Sequence, residues 1–216
     1  MAVTAIIPAY NEEQTIESVV MCVKQVESIS EIIVVSDGST DRTAEIARSC
    51  GVNVIELEEN KGKGGAIKAG IGECTSSIVL FLDADLIGLT KEHIVQLIDP
   101  VLKDEADMTL GIFKNGRMVT DLAQKVTPYL TGQRAIKKSL LEKIPNIDIS
   151  RYGVEVALTK YVEKSSTRVV EVYLEDMTHV TKEEKLGVLK GMQARLKMYW
   201  DIVKILGMYS RNKEVK

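Results

Sequence analysis

Ile78-Val79-Leu80-Phe81-Leu82-Asp83-Ala84-Asp85 is the stretch on which the reading of the fold turns. Five successive apolar residues are too few for a buried helix and show no alternation, so they suit a strand covered on both faces, as in a parallel sheet. Similar short runs occur at Val3–Ile7, Glu31–Val35, Val52–Leu57 and Met108–Ile112. Between the first two, Ile16, Val19, Val20 and Val23 recur at helical spacing within Thr15–Val26; Ala44–Ser49, with Thr40-Asp41 as its cap, and Gly64–Gly70 read as further helices. Strand alternating with helix implies parallel strands joined by right-handed crossovers. The expected class is α/β, with a single mostly parallel twisted sheet flanked by helices.

Past residue 113 the alternation fades. Lys114–Gln133 reads as loop with short elements, Gln133–Lys143, Tyr152–Val162 and Lys182–Tyr209 as helices, and Val169–Leu174 as a last strand. The expected organisation is one domain over residues 1–181, with a first half to 112 and a second from 113, followed by a C-terminal amphipathic helix over 182–216.

With 216 residues, 45% hydrophobic and 27% charged, and a net charge of −3, the chain is globular and has no global field that would draw it to nucleic acid. Cys22, Cys50 and Cys74 are widely spaced and form no C-x-x-C pair, so they read as reduced thiols and favour the cytoplasm. There is no signal-peptide pattern and no apolar run long enough to span a bilayer.

In an open parallel sheet, ligands bind beyond the carboxyl ends of the strands. The residues there are Pro8-Ala9-Tyr10-Asn11-Glu12-Glu13, Ser36-Asp37-Gly38-Ser39-Thr40-Asp41, Glu59-Asn60-Lys61-Gly62-Lys63-Gly64-Gly65 and Asp83-Ala84-Asp85. Asp83 and Asp85, two apart on an extended segment, would face one cleft. Paired acids there suit a hard divalent cation shared with substrate phosphates, though the same pair also reads as turn residues that stop a strand. The glycines and lysines of Lys61–Gly65 suit phosphate oxygens or, equally, a glycine-rich helix start. Neither G-x-x-x-x-G-K-[ST] nor G-x-G-x-x-G is present.

In their order over residues 3–85, these four segments resemble the nucleotide-binding half of family-2 glycosyltransferases of the GT-A fold. Thr131-Gly132-Gln133-Arg134-Ala135 and Tyr152-Gly153-Val154-Glu155 are similar to the acceptor-side motifs of the subgroup holding glucosyl-3-phosphoglycerate synthases and polyprenyl-phosphate sugar transferases. The resemblance implies metal-dependent transfer of a hexose from a nucleoside-diphosphate sugar, UDP-glucose favoured, to a hydroxyl or phosphate acceptor. It places the donor against Pro8, Ala9, Tyr10, Glu12, Asp37, Lys63, Asp83 and Ala84, and the acceptor against Gly132, Gln133 and Arg134. It gives catalytic roles to Asp85, Glu155 and Arg134, and makes Asp85 and His179 ligands of Mg²⁺ or Mn²⁺.

For single residues a plainer reading stands beside each role: a solvated helix arginine for Arg134, an exposed helix residue for Glu155, a surface or capping histidine for His179. Many inverting members carry a Glu-Asp pair before an aromatic and an Arg, and none occurs between residues 113 and 165. Either the base lies elsewhere or anomeric configuration is retained. A non-catalytic nucleotide-sugar-binding module and a nucleotidyltransferase are the rival functions. Leu189, Met192, Leu196, Tyr199, Val203 and Leu206 follow an a/d rhythm within a segment, Lys182–Lys216, that carries 9 Lys+Arg and 4 Asp+Glu. That pattern admits docking on the acidic body, a homodimer seam or an anionic membrane surface.

Overall fold

The computed structural model describes residues 2–114, 131–143, 158, 161–162 and 165–179. Residues 115–130 of the expected loop Lys114–Gln133, most of the expected helix Tyr152–Val162 including Glu155, and the expected C-terminal helix lie outside them. The chain divides into two compact units, Met1–Thr178 and His179–Lys216, and the first contains the whole of the main sheet.

The strands are β1 (Val3–Ala9), β2 (Ile29–Asp37), β3 (Asn53–Leu57), β4 (Ile78–Phe81), β5 (Leu86–Ile87), β6 (Met108–Lys114), β7 (Arg134–Lys137), β8 (Val169–Glu175) and β9 (Thr178–His179). Among the described residues the helices α1 (Ile16–Val23), α2 (Thr43–Ser49), α3 (Gly62–Glu73) and α4 (Lys91–Leu102) connect them, and Lys138–Leu141 adds one helical turn. Seven strands form a sheet in the order β3-β2-β1-β4-β7-β6-β8, while β5 pairs with β9. All the described pairings in the sheet are parallel except those of β7, which runs against both β4 and β6. The α/β class with a mostly parallel sheet is therefore what this sequence forms.

Alternation along the strands sorts the core onto two faces. Val3, Ala5 and Ile7 of β1, with Ile78 and Leu80 of β4, pack against α1 and α4. Ile6, Val79 and Phe81 pack on the other side with Ala66 and Ile67 of α3. Each buried aliphatic side chain contributes about 1.5–3 kcal/mol, so a strand as short as β4 is secured by burial on both faces. Gly70 lets α3 come close, because a Cβ there would lie 2.6 Å from Ile6 Cγ2 and 3.3 Å from Val35 Cγ2. At the start of α4, Thr90 Oγ1 accepts from the His93 N–H and His93 Nδ1 accepts from the Thr90 N–H, a capping box that gives His93 a structural task.

Two expectations are corrected. Gln133–Lys143 is not one helix: Arg134–Lys137 is a strand, paired Phe81↔Arg134 through Ile78↔Lys137, and only Lys138–Leu141 is helical. Its residues favour helix locally, but a slot between β4 and β6 supplies backbone partners on both sides and buries Ala135 and Ile136 completely. Nor does Thr40-Asp41 occupy the cap of α2. Arg42 holds that position, and Asp41 serves from one residue before it by accepting the Thr43 N–H at 3.0 Å.

The sheet opens where a ligand would need it to. Ile6 O faces β4 and accepts the Leu82 N–H at 3.3 Å. Two residues on, the nitrogen of Pro8 faces the same side and has no hydrogen to continue the ladder. β1 and β4 therefore part at their carboxyl ends, at the point where the chain, having built β2 and β3 on one side of β1, crosses to the other.

Candidate active site

The loops that follow the first four strands are tied to one another here by hydrogen bonds and an ion pair. Asn11, in the left-handed region at φ 55°, accepts the Thr40 N–H on Oδ1 at 2.8 Å and donates its own N–H to Ser39 Oγ at 3.2 Å. The Glu12 N–H donates to Thr43 Oγ1 at 2.8 Å and the Glu13 N–H to Asp41 Oδ2 at 3.2 Å. The β1–α1 loop is thus laced to the β2–α2 loop. Burial alone would push the Asp41 carboxyl up, but hydrogen bonds from the Thr43 hydroxyl and N–H and from the Glu13 N–H outweigh it and hold the carboxyl below its ordinary range.

Asp37, 3% exposed, ties in the third loop by accepting the Lys61 N–H on Oδ1 at 2.7 Å, while its carbonyl accepts from the Asn60 amide at 3.2 Å. Gly38 has φ 66°, and a Cβ there would lie 2.7 Å from Asn60 N, so only glycine fits this approach. Along the wall of the opening, Pro8 is half-buried, Ala9 and Ala84 are buried, Glu12 is half-buried and Tyr10 is 48% exposed at the lip.

Asp83 and Asp85 do not share an extended segment as alternation suggested. β4 ends at Phe81, and Ala84-Asp85 form a turn leading to β5. The Asp83 carboxylate lies under the start of β7. Lys63 Nζ reaches Oδ1 at 2.6 Å, and Gln133 Nε2 donates to Oδ2 at 2.9 Å. Gly132 covers this pair so closely that a Cβ would come within 3.0 Å of both Asp83 oxygens and of Lys63 Nζ. Arg134, 2% exposed, is a buried strand residue whose guanidinium donates to the Thr131 carbonyl, which excludes the solvated helix arginine.

The structure therefore brings Asp37, Lys63, Asp83, Gly132, Gln133 and Arg134 to one edge of the sheet. Glu155 is outside the described residues. His179 closes β9, and its side chain lies outside them too. Asn11, Ser39 and Asn60 stand in the segments quoted from the sequence without a role of their own, and Thr43 lies just beyond one; their task is to lace the loops, and their turn-forming character is the signal for it. Among the described residues no group of three or more His, Cys, Asp or Glu gathers as a metal site, and no helix is long and apolar enough to cross a membrane.

The model of glycosyl transferase family 2 matches residues 4–159. The chain belongs to that family. It is 29% identical over 193 residues to glucosyl-3-phosphoglycerate synthase of Mycobacterium tuberculosis, an alignment covering 72% of this chain and 59% of that protein. It is 36% identical over 103 residues to 4,4'-diaponeurosporenoate glycosyltransferase of Staphylococcus aureus, covering 45% of this chain and 28% of that protein. A crystal structure of the mycobacterial synthase in complex with Mn²⁺, UDP-glucose and phosphoglyceric acid is similar at a TM-score of 0.71 and 28% identity, over 83% of this chain and 71% of that one. The chain thus spans about 59% of the length of that curated synthase. The opening between β1 and β4, where Lys63, Asp83 and Gln133 meet, is the candidate site of this family member.

Proposed function

We propose that the protein transfers a hexose from a nucleoside-diphosphate sugar, with UDP-glucose the first donor to test, to a hydroxyl or phosphate acceptor. The observation that carries this reading is the gathering of Lys63, Asp83 and the Thr131–Arg134 segment at the mouth where β1 and β4 part. Support comes from the mycobacterial synthase, whose structure holds UDP-glucose with Mn²⁺.

The roles follow from the residue chemistry. Tyr10 offers an aromatic face at the lip for a base, and Asp37 stiffens the loop beneath it. Lys63 supplies a cation against the diphosphate, and Asp83 accepts hydroxyls of the ribose or sugar. Arg134 presents a planar fork to an acceptor phosphate or carboxylate. The family resemblance gives a divalent cation to Asp85, shared with the substrate phosphates, which suits an ion that takes one or two carboxylates. Bound there, the ion would stabilise charge on the departing nucleoside diphosphate.

Titration calorimetry of UDP and GDP, each with and without Mn²⁺, tests the reading. Metal-dependent binding of one nucleotide is expected in the wild type and is expected to vanish in Asp85→Ala. Turnover in that variant should fall at least ~10²-fold, about 2.7 kcal/mol. Binding of neither nucleotide, or full turnover by Asp85→Ala, would overturn the assignment.

A further inference from the structure

Gln133 stands at the mouth of the donor site yet is only 1% exposed. Both ends of its amide are engaged. Oε1 accepts from the Thr131 hydroxyl at 2.9 Å, and Nε2 donates to Asp83 Oδ2 at 2.9 Å. Thr131 Oγ1 in turn accepts the Gln133 backbone N–H at 3.3 Å, which closes a small ring and fixes which end of the amide faces Asp83. On the far side of the carboxylate, Lys63 Nζ takes Oδ1 at 2.6 Å, with the two side chains 27% and 19% exposed.

An ion pair alone would not fix the direction of that carboxylate. Rotation about the Asp Cβ–Cγ bond is broad and roughly two-fold, so one cation near one oxygen leaves the plane of the group free to swing. A second hydrogen bond, from a neutral donor on a different strand, removes the freedom and aims the remaining lone pairs. Gln133 is suited to this task because it is pinned by Thr131 and carries no charge to compete with Lys63. At 1% exposure, the amide's second N–H and second lone pair are shut away from an acceptor molecule in the opening.

We propose that Gln133 is a positioning residue: with Lys63 it clamps the two oxygens of Asp83, and so sets the direction in which Asp83 meets the donor sugar, rather than contacting the acceptor. The proposal rests on the glycosyl-transfer reading and refines the role of one residue within it.

Hydrolysis of the donor without any acceptor is the test, since a residue acting only on the acceptor cannot affect it. Full-length wild type, Gln133→Ala, Asp83→Asn and the double variant are incubated with Mn²⁺ and a panel of UDP- and GDP-hexoses, and kcat and KM for donor consumption are measured. Removal of a hydrogen bond to a charged group corresponds to roughly a ten- to hundredfold loss, expected here in kcat for Gln133→Ala. In the Asp83→Asn background the same change should cost no more than about twofold, because its path runs through Asp83. Thr131→Val, which frees the amide while preserving side-chain shape, should give a smaller loss that also disappears in that background, and it carries the test if Gln133→Ala does not fold. Wild-type hydrolysis by Gln133→Ala, or losses that multiply in the double variant, would overturn the positioning role alone. A wild type that consumes no donor in the panel would overturn the glycosyl-transfer reading and this role with it.

Discussion

Substitution of Gly132 by alanine should disable the enzyme while leaving it folded. The backbone there lies outside the left-handed region, so alanine brings no torsional penalty, and the whole effect is steric. The new methyl would sit 2.5 Å from Lys63 Nζ and no farther from the Asp83 oxygens, where ordinary contact begins at 3.4 Å, so the pair must be pushed apart, the flexible ammonium by about 0.9 Å. Starting from the 2.6 Å pair with Asp83, that retreat weakens the attraction by roughly 1.6 kcal/mol at an effective dielectric of about 20. Both partners are less than one-third exposed, so solvent screening removes little of it. If donor turnover depends on the pair, kcat with a nucleotide sugar should drop about fifteenfold. Equilibrium unfolding in urea should show a loss of no more than about 1–3 kcal/mol, the usual cost of one extra methyl in a packed site. A Gly132→Ala enzyme turning over at the wild-type rate would refute the reasoning, since it would mean that the close approach of β7 to the Lys63–Asp83 pair has no bearing on catalysis.

Further expectations concern stability. Gly72, near the end of α3, has open space where a Cβ would go, so Gly72→Ala should raise unfolding stability by about 0.5–1 kcal/mol, measured by urea titration, and leave turnover unchanged. The depressed Asp41 carboxyl stabilises the fold at neutral pH, and that contribution is lost as pH falls through its folded value. Asp41→Asn should therefore be less stable than wild type at pH 7, with the gap closing below about pH 4; a gap of equal size at pH 3 would contradict the loop lacing.

The first four long strands were legible because each is a dense apolar run, and β4, with no alternation at all, announced a sheet covered on both sides. β7 was not legible. Arg134-Ala135-Ile136-Lys137 carries no strand signal of its own, and its conformation is set by β4 and β6 on either side. The extent of α3 was underestimated for a related reason. Glycines argue against helix by local preference, at about 1 kcal/mol each, whereas packing against Ile6 and Val35 demands one at position 70. At the candidate site, the residue types after each strand pointed to the edge of the sheet where Asp37, Lys63 and Asp83 are found. Their partners did not show, because Gln133 meets Asp83 across 50 positions and Asn11 meets Thr40 across 29, separations at which no local pattern operates.

The reversal of β7 has an evolutionary consequence. β6 leaves the sheet and β7 enters it at the same rim, the one where β1 and β4 part. Lys114, the last residue of β6, and Thr131, just ahead of β7, therefore both stand at the rim of the sheet that carries Asp83. A lineage could therefore insert, delete or exchange the stretch between those two ends as one cassette and keep the paired strands as they are. Grafting that cassette between relatives is the direct way to ask how much of each enzyme's selectivity it carries.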